Sequence, residues 1–363
     1  MLKRIATYIG FALLWAALIV VVVCAERLTT KNNKEQLITT THINIEGGGR
    51  SPMVDVESIS WWLKEHNVHP EGTTLEKLDI ASIESAVKSH NAVASANVSA
   101  TYDGSVKIDI ELREPIARLR IAGYDMYITK DGYLLPARGV IPAHVPVITG
   151  DYKPLFRSDY MGYAESLTQD SIATLDANIL RMEEEKLPHY KQIIDNNKAL
   201  RVVRRSSPKK NLFQSKEEYN ILVTAYKERY SVAVESHSQK EREIRSAIEV
   251  LERRQEETRQ IIDGITAQDG DFKALMELIN TIQHDTFWSA EVVQIVATGG
   301  GKIPLQLAII PRSGHFTVDL GTTESLTTKL NTLRRFYDKG LKNVGWERYR
   351  SISLRYKGQV VCR

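Results

Sequence analysis

The sequence predicts an α+β protein that begins with a single N-terminal transmembrane helix and continues into two folded units. Residues 5–25 carry no charge. Residues 40–114 change between strand-like and helix-like periodicity in the order β-α-α-β-β, and residues 115–363 combine strands with a long polar helical insertion over about 156–270. The first unit is therefore a small sheet covered by helices, and the second is a mixed α/β domain.

Composition limits the function classes. The 363 residues are enough for two or three domains with a sizeable core. The formal net charge of +3 gives no reason to expect a nucleic acid as partner. Cys24 and Cys362 stand near opposite ends of the chain and predict no disulfide framework.

The apolar segment Ile5–Ala25 decides the predicted compartment. It is about 21 residues long, which is enough to cross a bilayer. A cleaved signal peptide is the alternative, but the run exceeds the usual length of a signal core. Flanking charges do not fix the orientation. The simpler arrangement leaves residues 1–4 as a cytoplasmic tail and exports the rest through a linker at 26–39.

The β-α-α-β-β unit is read from alternation and turn residues. A strand at His42–Ile45 ends in glycines, and a helix starting near Ser51-Pro52 follows. Asp79 is the N-cap of a second helix. Alternating apolar residues at 94–102 and 106–112 predict two strands, joined by the hairpin signal Asp103-Gly104.

The elements of the C-terminal segment are also predicted from alternating apolar residues and turn residues. Residues 305–309 and 316–320 alternate as half-buried strands, and a helix follows over about 326–337 with its N-cap at 321–323 and Gly340 as its C-cap. Ile352, Leu354 and Tyr356 predict one face of the last strand. A chain that stops on a strand leaves a sheet edge on which a partner's strand can pair.

The insertion is polar and helical in pattern. One helix is predicted from Ser166 to Glu185, ended by Pro188, and a longer one over Lys216–Ala267 with a break near His237. Two interpretations stay open, a coiled-coil arm or a solvated spacer. Between the helices, the basic stretch Arg201–Lys210 is either a solvated loop or a contact with acidic polymer or lipid headgroups.

Patterns that carry chemistry are weak. His66 and His69 have no third ligand nearby, which disfavours a metal site. Ser85–Lys88 spells S-x-x-K, but the partner patterns S-D-N and K-T-G of penicillin-binding proteins are missing. The sequence predicts no enzyme, no cofactor and no metal. It favours core packing for Trp61, Trp62, Trp288 and Trp346.

Short segments of the first unit resemble the POTRA domain. Ile45–Gly47 is similar to its opening strand and Asn91–Val98 to its second strand. Glu111–Arg118 is similar to the E-x-R-x-P-x-A segment that follows the POTRA domain in the cell-division family FtsQ, also called DivIB. Other segments that resemble this family are Tyr127–Gly132, Phe287-Trp288, Ile309–Arg312, Leu320-Gly321, Lys329-Leu330 and Leu354–Tyr356. The resemblance covers residues 40–150 and 272–363.

The resemblance implies a non-enzymatic divisome scaffold at the division septum. It would sit in the bacterial inner membrane with most of the chain in the periplasm, and link early division proteins to septal peptidoglycan synthesis. The implied partners are the bitopic proteins FtsB (DivIC) and FtsL, with other divisome components at the POTRA domain and anchor, and the lipid bilayer around the anchor. The implied mechanism is addition of the partner's segment to the C-terminal strand.

The resemblance implies partner-binding roles for Arg355 and Tyr356, and strand addition at the chain's last strand adds Gly358, Gln359 and Val360 to the predicted contact set. Gln359 departs from some members of the family, in which small residues occur. Arg355 would pair with an acidic partner residue, and Tyr356 would bury its ring while its hydroxyl bonds at the rim. The alternative for Tyr356 is an ordinary core residue. The alternative for the whole protein is a periplasmic adaptor of a secretion or efflux system, which also joins an anchor to a helical hairpin and β-domains. A cell-wall enzyme is disfavoured by the missing catalytic set.

Overall fold

The computed structural model describes residues 15–23, 36–121, 123–341, 345 and 348–363. Residues 15–23 are helical; the rest of the predicted span Ile5–Ala25 lies outside the described residues, as do residues 26–35 of the predicted linker and Trp346. Within the described parts of the chain, no helix combines the length and the hydropathy needed to cross a bilayer.

The N-terminal unit is a three-stranded sheet, within the described residues, with two helices on one face. Its elements are β1 (Thr40–Gly47), α1 (Val56–Glu65), α2 (Ile80–Lys88), β2 (Val93–Ala100) and β3 (Ser105–Leu112). The strand order is β1-β3-β2, with β1 parallel and β2 antiparallel to the central β3. Val106, Ile108 and Ile110 alternate onto the buried face of β3 and pack beneath the helices.

Both helices of this unit begin at aspartate caps. Asp79 accepts a hydrogen bond from the Ser82 N–H at 3.0 Å, as the sequence predicts. The first helix begins later than predicted. Asp55, rather than Ser51-Pro52, is its cap and accepts from the Ser58 N–H at 2.8 Å, because a carboxylate satisfies the open N–H groups of the first turn, which proline cannot.

The second unit is one mixed sheet of ten strands within the described residues. Its strands are β4 (Pro115–Ile121), β5 (Tyr124–Thr129), β6 (Tyr133–Pro136), β7 (Val147–Gly150), β8 (Gly162–Tyr163), β9 (Val292–Gly300), β10 (Ile303–Pro311), β11 (Thr317–Thr322), β12 (Ser351–Ser353) and β13 (Val361–Cys362). They lie in the order β13-β12-β11-β10-β9-β7-β4-β5-β6-β8. The parallel pair β7 and β9 joins the strands before the insertion to those after it.

The insertion is a helical hairpin. α3 (Ala164–Arg205) and α4 (Lys216–His284) lie antiparallel, and α5 (Thr286–Glu291) leads into β9. Gln255 donates to the Ile179 carbonyl at 3.1 Å and Asn196 donates to the His237 carbonyl at 3.0 Å, so the two helices are bonded along their length. The last turns of α4, including Leu275, Leu278 and Ile282, are buried against the large sheet.

Two predicted breaks in these helices are wrong. α3 continues through Pro188 to Arg205, and α4 continues through His237. Pro188 is exposed on the arm, whereas Met182 and Lys186 before it are buried. Gln255 of α4 bonds Ile179 and Glu183 of α3 just before this point. The His237 ring bonds Asn197 Oδ1 of α3 at 2.9 Å, so contact with the neighbouring helix compensates for local sequence that favours a break.

The two units are packed against each other. Tyr127 and Leu135 of the large sheet's hairpins are fully buried in the core of the N-terminal unit. The Tyr127 hydroxyl accepts a hydrogen bond from the Ala143 N–H at 3.1 Å. Arg113, just after β3, lies over the Tyr133 ring at 3.4 Å and pairs with Asp131 at 3.3 Å. The segment between the units is therefore held by stacking, an ion pair and shared core residues.

The tryptophans divide between core and surface. Trp288 is buried in the large core, and the Trp62 Nε1–H donates to the Ala86 carbonyl at 2.8 Å while its ring packs between histidines. Trp61 is 62% exposed, so its predicted core role is wrong. On α1 the neighbours Ile59 and Leu63 define the buried stripe, and Trp61 lies outside it.

Candidate partner-binding edge

The C-terminal end of the large sheet is built as a crossover followed by a turn. β11 is joined to the parallel β12 by α6 (Leu326–Phe336) and a π-helical turn, Tyr337–Leu341. The N-cap of α6 is Ser325, in a left-handed conformation, and Gly340 lies inside the π turn; the predicted caps at 321–323 and at Gly340 are therefore wrong. Tyr337 packs edge-on to Phe287, Trp288 and Phe316, so these four aromatic rings form a cluster in the core at this end of the sheet.

The last strand is shorter than predicted. β12 ends at Ser353, and the chain then turns through Tyr356–Gln359 into β13. The Gln359 N–H donates to the Tyr356 carbonyl at 3.1 Å, and Gly358 has φ +72°. Leu354 still continues the buried face of Ile352, but Tyr356 does not. A glycine three residues after Arg355 was the available sign of this turn.

β13 is the outermost strand of the described sheet. Ser351 N–H donates to the Arg363 carbonyl at 3.1 Å, and Arg363 N–H donates back to the Ser351 carbonyl at 2.9 Å. Antiparallel pairs alternate between bonded and unbonded residues, so the N–H and C=O of Cys362, opposite Ile352, point away from β12. The same alternation turns the backbone of Val360 outward. This edge can therefore accept another strand.

The side chains on this edge are partly buried by the core of the large sheet. Val360 and Cys362 pack against the large core, and burial raises the pKa of the Cys362 thiol. Their outward face is backbone rather than side chain. The edge consequently offers backbone hydrogen bonds to an added strand. Backbone groups do not distinguish one strand from another, so side chains of the neighbouring turn would have to select the partner.

Arg355 has a partner inside the molecule. Its Nε–H donates to Asp319 Oδ2 at 2.5 Å. The other carboxylate oxygen of Asp319 accepts the Gly321 N–H at 2.9 Å, and its backbone carbonyl accepts the Leu354 N–H at 2.8 Å. Asp319 therefore holds both the exit of β12 and the Arg355 side chain. The terminal amino groups of Arg355 make no hydrogen bond within the described part of the chain, so they face outward.

Tyr356, Gly358 and Gln359 are exposed, as Arg355 is. The Tyr356 side chain is 63% exposed, which excludes the core role weighed for it. Gly358 and Gln359 are exposed beside it on the same turn. The structure thus brings the five predicted residues together as one turn and the start of one edge strand. Asp319 was missed by sequence reasoning, although its place between buried Val318 and Leu320 indicates that it faces outward.

The fold defines a protein with a POTRA-type unit packed on a larger mixed sheet. Residues 36–111 match the family described as a POTRA-like domain. Residues 245–363 match the family described as FtsQ/DivIB, C-terminal related, a match that runs from the middle of α4 to the end of the chain. The chain therefore combines a POTRA-like domain with a C-terminal domain related to FtsQ/DivIB. No curated protein matches it significantly.

Proposed function

We propose that this protein is a non-enzymatic divisome scaffold of the bacterial inner membrane, linking early division proteins to septal peptidoglycan synthesis. The FtsQ/DivIB and POTRA-like matches support this role. In this proposal Ile5–Ala25 is the anchor, and the POTRA unit and large sheet work outside the cytoplasm. The POTRA domain and anchor are the expected contacts for other divisome components.

The partner-binding mechanism that we propose is strand addition at β13. The observation that carries it is the outward backbone of Cys362 on β13, the last strand of the described sheet, and of Val360 just before it. A bitopic partner of the FtsB (DivIC) or FtsL type would contribute the added strand, whose backbone groups pair with this edge. Tyr356 would cover one side chain of that strand, and the outward amino groups of Arg355 would pair with a carboxylate.

Binding measurements test this mechanism. The full chain, held in nanodiscs, is titrated with the soluble coiled-coil segments of an FtsB–FtsL-type pair. Tyr356→Ala should weaken binding by about tenfold or more, as expected for a central aromatic contact. Val360→Pro should weaken it further, because proline removes an outward N–H that no described residue uses.

Lys357→Ser is the matched control, since Lys357 is exposed on the same turn but lies outside the proposed contact set. All three variants are first checked by thermal melting. Equal affinity of the wild type and the folded variants would contradict the edge-strand mechanism. Absence of wild-type binding would contradict the choice of partner.

A periplasmic adaptor is the second candidate, and the hairpin of α3 and α4 is the observation that favours it. The FtsQ/DivIB match, however, begins inside α4 and includes its buried last turns. The arm is thus continuous with the division-type domain, which favours the scaffold.

A further inference from the structure

The tip of the helical arm is an ordered turn with an apolar apex. α3 ends at Arg205 and α4 begins at Lys216. Between them the Gln214 N–H donates to the Asn211 carbonyl at 3.2 Å, which closes a turn with Leu212 and Phe213 at its centre. Ser215 then caps α4 in a reciprocal pair with Glu218. The apex is therefore presented by its own hydrogen bonds.

The two apex side chains are almost entirely in water. Phe213 is 100% exposed and Leu212 is 96% exposed. Turn centres normally hold glycine, proline or polar residues. Single exposed apolar residues are common on proteins. Two adjacent ones at the outermost point of a long arm, however, are placed where they can leave water for an apolar environment outside the protein.

Positive charge predominates around this apex. Residues 196–216 contain no acidic residue and seven basic ones, which are Lys198, Arg201, Arg204, Arg205, Lys209, Lys210 and Lys216. Two carboxylates, Glu217 and Glu218, follow in the first turn of α4, where Glu218 takes part in the cap. Lys198 pairs with Asp195 at 3.3 Å, while the other six make no ion pair within the described residues. Along the shaft, by contrast, cations and carboxylates pair, as Arg245 does with Glu241 at 2.6 Å.

The arm carries this tip far from both cores. α3 has 42 residues, which at 1.5 Å each gives a length of about 63 Å. The first turn of α3 lies at the large sheet, where Ala164 is buried in the core. The tip is therefore separated from the proposed partner-binding edge and can contact a surface at a distance from it.

We propose that the arm tip, residues 201–216, binds an anionic lipid bilayer. The cations would contact lipid phosphates, and Leu212 and Phe213 would enter the boundary between headgroups and acyl chains. An acidic polymer would satisfy the cations but leave both apolar side chains in water, so a bilayer fits the whole tip better. The inference stands apart from the division role and from β13.

The test follows the environment of the tip in the full chain. Cys24 and Cys362 are replaced by serine, and Ser207→Cys, an exposed position beside the apex, carries an environment-sensitive fluorophore. The protein is held in phosphatidylcholine nanodiscs. It is titrated with vesicles of phosphatidylcholine, with and without phosphatidylglycerol. The fluorophore emission is expected to shift to the blue only with phosphatidylglycerol.

Two sets of variants separate the contributions. Leu212→Ser with Phe213→Ser should weaken vesicle binding by at least about tenfold. Arg204, Arg205, Lys209 and Lys210 replaced together by glutamine should weaken it by at least about tenfold and remove its salt dependence. The matched control, Arg253→Gln with Arg254→Gln, removes two exposed cations from the shaft of α4 and should bind as the wild type does.

Three results would overturn the proposal. The first is no emission shift with phosphatidylglycerol vesicles. The second is a shift that the apolar double variant leaves unchanged, which indicates charge attraction alone. The third is a stronger response to soluble polyglutamate than to the vesicles, which indicates an acidic polymer as the ligand. Circular dichroism of each variant verifies that the exposed substitutions leave the helices intact.

Discussion

At the scale of single residues, Gly321 leaves the space that the Arg355 side chain occupies. Its backbone is left-handed, with φ +69°, and a Cβ placed there would lie 2.9 Å from Arg355 Cγ. Arg355 reaches Asp319 across this missing side chain. The candidate site therefore depends on a glycine outside its exposed turn.

A pair of glycine variants tests this dependence. Gly358→Ala meets only backbone strain, because nothing lies within 4 Å of its Cβ position; it should cost about 1 kcal/mol of unfolding free energy. Gly321→Ala adds displacement of Arg355 to the same strain and should cost about 1 kcal/mol more. Urea unfolding gives both values. Equal losses of unfolding free energy in the two variants would show that the Arg355 side chain does not need the space at Gly321.

His90 gives the POTRA unit a pH dependence. Its side chain is 6% exposed between α2 and β2, next to the Trp62 ring, and its Nδ1 accepts the Ala92 N–H at 3.3 Å. Burial lowers the pKa of His90 below its ordinary value of 6.5. As the pH falls below about 6.5, the unfolded chain therefore binds the proton first, and stability present at neutral pH is lost.

Thermal melting at about pH 7.5 and about pH 5.5 checks this expectation. The wild type should lose more stability on acidification than His90→Gln, whose amide does not titrate. An equal loss in both proteins would show that His90 does not control the acid response.

The role of a single residue could be predicted from the sequence where one local hydrogen bond determines it. Asp79 is recognisable as a cap because its carboxylate and Ser82 are three residues apart. Arg355 and Tyr356 were singled out by resemblance, but the Asp319 partner and the exposure of Tyr356 were not visible. Both depend on where β12 ends, which is set by β11 and not by local sequence.

At the scale of elements, α3 shows how contact with a neighbouring helix can keep a helix continuous through a proline. Pro188 lacks an N–H for the Glu184 carbonyl, and local propensity predicts an end there. Both residues are exposed, so water can satisfy that carbonyl. Gln255 of α4, only 2% exposed, bonds Ile179 and Glu183 just before this point and holds the helix in place.

Replacing this proline should therefore stabilise the arm. Pro188→Ala restores the hydrogen bond and should raise local stability by about 1–3 kcal/mol. Amide hydrogen exchange across residues 184–192 measures the change. Leu187→Ala, at a neighbouring exposed position, is the control and should alter exchange little. Faster exchange in Pro188→Ala would mean that the kink is needed for packing on α4.

At the scale of the whole molecule, the two units are expected to unfold together. Tyr127 belongs to the large sheet by chain position but is buried in the POTRA core. The loop after β6 also returns to the POTRA unit, where the Ile141 N–H donates to the Met53 carbonyl at 2.7 Å. The sequence predicted two units in order but not this shared core, because no local pattern indicates which unit a side chain faces.

Tyr127→Ala tests the coupling. It should leave a cavity costing about 3–5 kcal/mol and split calorimetric unfolding into two transitions. Tyr124→Ala, which removes a ring packed on the large core beside Phe156, should lower stability without splitting the transition. Two separate transitions already present in the wild type would contradict the coupling.

Amide hydrogen exchange of residues 360–363 shows whether the proposed partner strand pairs with β13. With the partner's coiled-coil segments bound, the amides of Val360 and Cys362 should exchange much more slowly, because their outward N–H groups enter a new ladder. The Arg363 amide, already bonded to Ser351, should change far less. Unchanged exchange at Val360 and Cys362 in a complex that forms would contradict strand addition at this edge.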